Sequence, residues 1–342
     1  MISPKVTIAI PTYNRAALLR QAVESALEQT YQDIEVLVAD NSSTDNTGDV
    51  VKQFKDHRIR YFRHSKNRGF INNFNFCLEK AAGEYFLLLS DDDILDNDAI
   101  KSLLARFQGD DDVMSYCSLI FFNENAGTKK IVQKIAPEKE SGFDFIAGRL
   151  AEKRVWAPSA ALFRTCVLRS AGGYPPAGIA TDLGACLAGC MKGTVGYVPR
   201  PLVYYRLHEN NVSQITKYSI TSHVDLINWS SSPGSPVYGQ RDRVYHYCVQ
   251  ILNRMTYSAA QRGNREVFAF AADILRRLSP GFGQEARLKL YSIPNIKYAV
   301  SFLFYIKDCF AAVFLTARTW TRAKVLRHPE TAAEKNLQIH QV

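Results

Sequence analysis

Three consecutive acids, Asp91-Asp92-Asp93, follow the apolar run Tyr85-Phe86-Leu87-Leu88-Leu89 with only Ser90 between them. Adjacent carboxylates repel one another. A strand that ends in three of them either leads into a solvated loop or meets something cationic. Oxygen ligands at a strand tip suit Mg2+ or Mn2+, which keep waters and substrate phosphates in their coordination shell. The plainer alternative is a helix cap, with Asp91 or Asp93 closing the start of a segment over 97–107. Two further polar clusters end apolar runs: Pro11-Thr12-Tyr13-Asn14 after 6–10, and Asp40-Asn41-Ser42 after 34–39. Farther on, Thr181-Asp182 opens a helical pattern in which Asp182 is either a first-turn acid or a cap.

The elements that must position these groups alternate. Apolar spacing predicts strands over 6–10, 34–39, 59–62 and 85–89. Between them lie helical patterns: Leu18 to Leu27 with Asn14 as a candidate cap, then 49–55, then 72–82. Strand and helix in alternation mean parallel strands with crossover helices on the faces. Ligands in such sheets bind beyond the carboxyl ends of the strands, where the strand order reverses, so the three polar tips should converge on one crevice. The second half is less regular. Residues 123–142 are rich in lysine and poorly periodic and read as a loop. Gly172-Gly173-Tyr174-Pro175-Pro176 is a turn cluster, a helix runs from 181 to about 191, and 197–206 is a strand interrupted by prolines. From 238 onward the pattern is helical.

A length of 342 residues with 46% hydrophobic and 22% charged residues is ordinary globular composition. It leaves room for one large α/β domain with an appendix, or for two domains. The net charge of +9 is unevenly spread: between Arg276 and His328 ten basic residues face two acids, Glu285 and Asp308. Such a region suggests an anionic partner, lipid headgroups or nucleic acid. Seven cysteines without a spaced framework argue against a disulfide-built secreted protein. Cys186 and Cys190 share a helical face and read as small buried residues, since two ligands make no structural zinc site. No signal-peptide apolar region precedes the first strand, so a reducing cytoplasm is the expected surrounding.

The ordered set Val6-Thr7-Ile8-Ala9-Ile10-Pro11-Thr12-Tyr13-Asn14-Arg15, Gln29-Thr30-Tyr31-Gln32-Asp33-Ile34-Glu35-Val36, Val38-Ala39-Asp40-Asn41-Ser42-Ser43-Thr44-Asp45, Asn67-Arg68-Gly69, Asn75, Ala81-Ala82-Gly83-Glu84-Tyr85 and the acid string resembles family-2 glycosyltransferases of the GT-A fold. The resemblance covers about the first 210 residues. It implies an α/β, Rossmann-like, mostly parallel sheet flanked by helices, with an α-helical C-terminal appendix. Residues 1–122 would bind the nucleotide sugar, 123–215 the acceptor, and 216–342 would form a helical, basic region. It also implies an inverting, metal-dependent hexosyltransferase using Mn2+ or Mg2+. The donor would be a nucleotide-diphosphate sugar of UDP or dTDP type, and the acceptor a saccharide or lipid-linked saccharide in surface polysaccharide assembly, with no nucleic acid as partner.

Carried over residue by residue, Pro11, Thr12 and Tyr13 would line the base and ribose pocket, with Asp40 hydrogen-bonded to the base. Asp91 would lie near the ribose and sugar phosphate, and Asp92 would ligate the metal. Asp93 would be a neighbouring metal partner or a helix cap. Asp182 would be the base that takes the acceptor's proton, by a single displacement. His208, in the family-like segment Tyr204-Tyr205-Arg206-Leu207-His208, would approach metal or diphosphate, or else pack for structure. The chain departs from the family at Ser90, where many members have the first Asp, and at Phe74, where many have Arg. Arg68 is the candidate to supply the missing cationic contact. Trp156 and Trp229 are candidates to stack on a sugar, with core packing the plainer role.

Residues 298–315 are strongly apolar, but Lys307 and Asp308 interrupt their middle, which argues against a clean membrane span. Lys297, Lys307, Asp308, Arg318 and Arg322 share one helical face. Such a helix either lies in a membrane interface over 297–322 or packs on the catalytic domain. The resemblance favours a peripheral place on the inner face of the cytoplasmic membrane. Two rival functions stand beside this reading. A sugar-nucleotide nucleotidyltransferase should carry a glycine-rich phosphate loop after the first strand, and Pro11-Thr12-Tyr13-Asn14-Arg15 contains none. A non-catalytic nucleotide-sugar-binding protein is the other.

Overall fold

The computed structural model describes residues 5–208 and 217–278. The chain begins with strand β1 (Val6–Thr12), helix α1 (Ala16–Leu27), β2 (Ile34–Asp40), α2 (Thr47–Gln53), β3 (Ile59–Arg63), α3 (Phe70–Lys80) and β4 (Tyr85–Leu88). Every residue of β1 and β2 is buried, as continuous apolar runs covered on both faces require. Side chains alternate across the sheet. Val6, Ile8 and Ile10 join Leu19, Ala22, Val23 and Ala26 of α1 on one face. Ala9, Leu37, Ala39, Phe86 and Leu88 join Cys77 and Leu78 of α3 on the other.

The acids lead into β5 (Ile94–Leu95) and α4 (Ala99–Leu104), followed by β6 (Asp112–Asn123), β7 (Thr128–Val132), β8 (Lys139–Ser141) and α5 (Gly142–Leu150). Then come β9 (Ala161–Arg164), α6 (Thr165–Ser170), α7 (Thr181–Cys190) and β10 (Thr194–Arg206). The sheet order is β3-β2-β1-β4-β9-β6-β10-β5, with β7 paired to β6 and β8 to β10. The first four strands are parallel. Beyond them the sheet is mixed: β9 runs antiparallel between β4 and β6, and β6 and β10 are parallel to each other. The prolines in β10 are absorbed by register shifts around Pro201 and Val203 against β6.

The segment 123–142, expected to be a loop, instead carries the outer strands β7 and β8, and α5 starts where Ser141 Oγ accepts a hydrogen bond from the Asp144 N–H (3.1 Å). Four of the five residues of β7 are exposed, so no apolar alternation marks it. The expected caps also differ. Asn14 does not cap α1; its Oδ1 accepts from the Thr44 N–H, and Asp45 Oδ2 accepts from the Ala16 N–H at 3.1 Å. Neither Asp91 nor Asp93 caps a helix, because α4 begins only after Asp98. Cys186 and Cys190 are buried beside the Met114 sulfur, as small core residues.

Among the described residues after β10 are three α-helices, α8 (Lys217–Ser231), α9 (Arg241–Gln261) and α10 (Arg265–Leu278), which share a small core around Ile220, Leu252, Ala271 and Leu275. No helix among the described residues is long and apolar enough to cross a membrane. The basic segment 297–322 lies outside the described residues.

Gly83, in the turn that delivers β4 to β1, donates its N–H to Thr7 Oγ1. A Cβ there would stand 2.4 Å from the Thr7 nitrogen and 2.7 Å from the Val6 carbonyl carbon. Gly83→Ala should therefore cost roughly 1–3 kcal/mol in urea unfolding, the usual cost of overpacking. Gly234→Ala, where a Cβ meets nothing within 4 Å, should stay within about 0.5 kcal/mol of the parent.

Candidate active site

The strand order reverses between β1 and β4: from β1 the chain builds β2 and β3 to one side and places β4 on the other. At the carboxyl end of this junction Thr12 Oγ1 donates to Asp91 Oδ2 at 2.7 Å, tying the two strand tips together. Asp91 and Asp92 are only 6% and 7% exposed, so their charges need partners inside the protein. Arg15, between β1 and α1, supplies one. Its Nη1 donates both to Asp91 Oδ1 (3.0 Å) and to Asp92 Oδ2 (2.8 Å). His208 Nε2 stands 3.1 Å from the same Asp92 Oδ2.

Asp93 points elsewhere. Its Oδ2 accepts from Ser159 Oγ (2.6 Å) and its Oδ1 from the Arg206 backbone N–H (3.1 Å). Arg206 is buried, and its guanidinium donates from Nε to the Asp92 carbonyl (2.8 Å) and from Nη2 to Gln21 Oε1 (2.6 Å). The end of β10 thus clamps the acid loop from behind. Burial and the neighbouring Asp92 charge push the Asp93 carboxyl up to about 8, against the pull of Ser159 and the Arg206 N–H. Burial likewise lifts Asp91 to about 6, with Arg15 opposing. Asp93, expected as a metal partner or cap, is an anchor between the acid loop and β10.

Asp91 and Asp92 open onto a cavity of about 390 Å³. Pro11, Thr12, Tyr13, Asn41 and Ser90 line it from the strand tips, and Asp182 and Tyr205 from the second half of the chain. Its remaining flank is mostly apolar, with Phe70, Phe74, Leu88, Pro158 and Ile179 beside Asn73. Phe70 and Phe74 are one turn apart on α3 and meet edge to face at 5.6 Å, and Phe74 is backed by Tyr174 at 5.4 Å. Asp182 is the second residue of α7, a first-turn acid and not the cap. Its Oδ1 accepts from the Leu183 N–H (2.6 Å), and burial raises its carboxyl to about 6, partly offset by that bond and by Arg149.

Two expected contacts do not reach this cavity. Asp40 is fully buried; Tyr61 O–H donates to its Oδ2 at 2.7 Å and the Ser43 N–H to its Oδ1 at 2.7 Å. Its neighbour Asn41 takes the place at the wall. Arg68 is exposed, and its guanidinium lies 5.9 Å over the Phe76 ring, away from the acids. Arg15 is the guanidinium that does meet them. It follows the Pro11-Thr12-Tyr13-Asn14 tip directly, a position that marks it as a site residue once that tip is taken as one. Trp156 and Trp229 are half-buried and pack on the core, and neither lines the 390 Å³ cavity.

The donor set fits a divalent cation bound together with a nucleotide. Asp92 Oδ2 and His208 Nε2 already converge, and the Arg15 guanidinium marks the point between Asp91 and Asp92 where positive charge is held. Among the described residues no three His, Cys, Asp or Glu side chains form a closed metal cage. The remaining positions would fall to phosphate oxygens and water, the manner in which Mg2+ is usually held with nucleotides.

Residues 7–167 match the family model described as Glycosyl transferase family 2. Over 132 residues the chain is 33% identical to Glycosyltransferase GlyA of Streptococcus pneumoniae, which is 37% of this chain and 18% of that protein. Over 106 residues it is 37% identical to a GalNAc(5)-diNAcBac-PP-undecaprenol beta-1,3-glucosyltransferase of Campylobacter jejuni, 30% of this chain and 34% of that protein. The matches thus span about a fifth and a third of these relatives' own lengths. Among solved structures, S. aureus TarS 1–349 aligns with a TM-score of 0.56 at 15% identity, over 84% of this chain and 89% of that one. The mannosyltransferase PcManGT from Pyrobaculum calidifontis, solved with GDP-Man and Mn2+, aligns with a TM-score of 0.51 at 17% identity, over 94% and 84%. These two likenesses establish the GT-A fold. With the motifs in order and the switch-point acids in place, residues 7–167 form a domain that matches Glycosyl transferase family 2.

Proposed function

We propose that the protein is an inverting, metal-dependent glycosyltransferase. It moves a hexosyl group from a nucleotide-diphosphate sugar of UDP or dTDP type to a hydroxyl of a saccharide or lipid-linked saccharide in surface polysaccharide assembly. One observation carries the reading: Asp91 and Asp92, paired with a cation, and Asp182, isolated and raised, open onto the same cavity. The donor class is supported by S. aureus TarS 1–349, solved in complexes with UDP and with UDP-GlcNAc. The lipid-linked acceptor is supported by the printed name of the Campylobacter jejuni relative. Residues 1–122 are assigned to the donor and 123–215 to the acceptor, with the described helices α8 to α10 as an appendix.

Pro11, Thr12, Tyr13 and Asn41 receive the base and ribose, and Asp91, held by Thr12, faces the ribose and sugar phosphate. Asp92 and His208 would hold Mn2+ or Mg2+, which when bound would offset the charge developing on the leaving diphosphate. Asp182 takes the proton of the acceptor hydroxyl as its oxygen attacks the anomeric carbon. The bond to the diphosphate breaks on the opposite face, so the configuration inverts with no covalent enzyme intermediate. The apolar flank with Phe74 excludes water from the sugar side.

Nucleotide binding and transfer separate the roles. Asp92→Asn should lose Mn2+-dependent UDP binding in calorimetry, whereas Asp182→Asn should bind UDP as the parent does. Until the acceptor is identified, slow hydrolysis of a UDP-sugar panel serves as the turnover assay. Asp182→Asn should lower its rate on the order of 10²–10⁴-fold, the usual worth of a general base. Unchanged turnover in both variants would refute the site assignment.

The raised carboxyl of Asp182 sets a pH profile as well. The base must be ionised, so kcat/KM should climb through about pH 6 and level off above it. In Asp182→Asn the residual rate should lose that acidic limb, which stopped-flow or discontinuous assays between pH 4.5 and 8 would reveal, a window of roughly two units on either side.

A further inference from the structure

Arg15 occupies an unusual position for a surface-loop arginine. A single nitrogen, Nη1, bridges Asp91 Oδ1 and Asp92 Oδ2. The bridged oxygen of Asp92 is the one His208 Nε2 approaches at 3.1 Å. The guanidinium therefore holds the same carboxylate oxygen that the proposed metal site requires. Arg15 also stands between two openings. It lines the 390 Å³ cavity and, on its other side, a second cavity of about 550 Å³ shared with Tyr13, Asn14, Asp45 and His208. Its side chain is 24% exposed, against 8% and 10% for those of Asp91 and Asp92, so it is the partner with room to move.

From this arrangement we infer that Arg15 is a built-in counter-cation that makes divalent metal binding depend on the nucleotide. The inference rests on the reading of Asp92 and His208 as metal ligands. Without nucleotide, Arg15 offsets part of the acid pair's charge and competes with a metal for Asp92. A nucleotide diphosphate entering the cavity offers the guanidinium a second anionic partner, with the planar geometry it binds well. Arg15 then leaves Asp92, and the freed oxygen becomes available to the cation. Each ligand thereby raises the affinity of the other by the same factor, as linkage demands. A lysine at this position would keep the charge but lose the fork, so the exchange depends on arginine in particular.

Titration of the full-length protein with Mn2+, read by the electron paramagnetic resonance of free Mn2+, tests this with and without UDP. In the parent, UDP should raise Mn2+ affinity by about tenfold or more, within the ordinary range of coupling. Arg15→Gln should bind Mn2+ without UDP about tenfold more tightly than the parent, with the UDP-dependent gain reduced by the same factor. Its thermal midpoint, lowered without metal because Asp91 and Asp92 lose their cation, should recover on adding Mn2+. Arg15→Lys, which retains the charge, should fall between the two and keeps the test open if Arg15→Gln folds poorly. If both variants bind Mn2+ alone no better than the parent, or if the parent's affinity ignores UDP, the counter-cation role is wrong while the metal ligands stand. If the parent binds no Mn2+ even with UDP, the metal reading and this inference fall together.

Discussion

Burying two adjacent carboxylates at the end of a central strand is the constraint on which the rest of the site depends. Two like charges about 4 Å apart repel by about 4 kcal/mol at the effective dielectric of a protein surface. Asp91 and Asp92 lie below even that level of solvation. The fold answers with groups drawn from distant parts of the chain. Thr12 and Arg15, from the tip of β1 and just after it, and His208, just after β10, meet the two carboxylates, while Arg206 and Ser159 hold the loop through the Asp92 carbonyl and Asp93. The first half of the chain could not hold its own acids. The long crossing of β10 to pair with β5, the short strand just after them, is what brings Arg206 beneath the loop.

That arrangement divides the cavity into two kinds of wall. Toward the strand tips the lining is polar, and the charges there are already matched. Toward α3 and the start of α7 it is apolar, with Phe70 and Phe74 backed by Tyr174. Where many relatives carry arginine, Phe74 adds a rigid ring and no charge. The positive charge that an anionic ligand meets in this cavity therefore comes from the Arg15 side alone among the residues that line it. The proposed donor would thus have its diphosphate near Arg15 and its sugar against carbon.

Much of this was legible in the sequence, for a physical reason. The strands β1, β2 and β4 are buried on both faces and stand out as apolar runs, and the three polar tips follow from their ends. The order of motifs carried the family. Other features depend on contacts across the chain that no local pattern encodes. Arg15 meets Asp91 from 76 positions away, and Arg206 meets Asp92 from 114. Asp40 looked available because it ends a strand, yet Tyr61 on the neighbouring β3 closes over it. The outer strands β7 and β8 escaped notice because they are mostly exposed, so their pairing is written in backbone and not in side-chain alternation. The basic segment 297–322, equally plain in the sequence, lies outside the described residues.

The acids themselves show how environment, not residue type, assigns a role. All four aspartates near the cavity share one side chain, yet three different surroundings act on them. Asp91 and Asp92 share a guanidinium, which shows that their oxygens can face a cationic partner. Asp93 has both oxygens committed to Ser159 and Arg206 and is pushed up to about 8, so its use is to hold the loop. Asp182 has no cation bound to it directly; burial raises it to about 6, while the Leu183 N–H and the more distant Arg149 keep it from rising further. A carboxylate in that last setting is ionised near neutrality yet more basic than one in water, which is what proton abstraction from a hydroxyl requires. A base at Asp182, as proposed, would stand on a separate helix from any cation held at Asp92, which would otherwise lower its pKa.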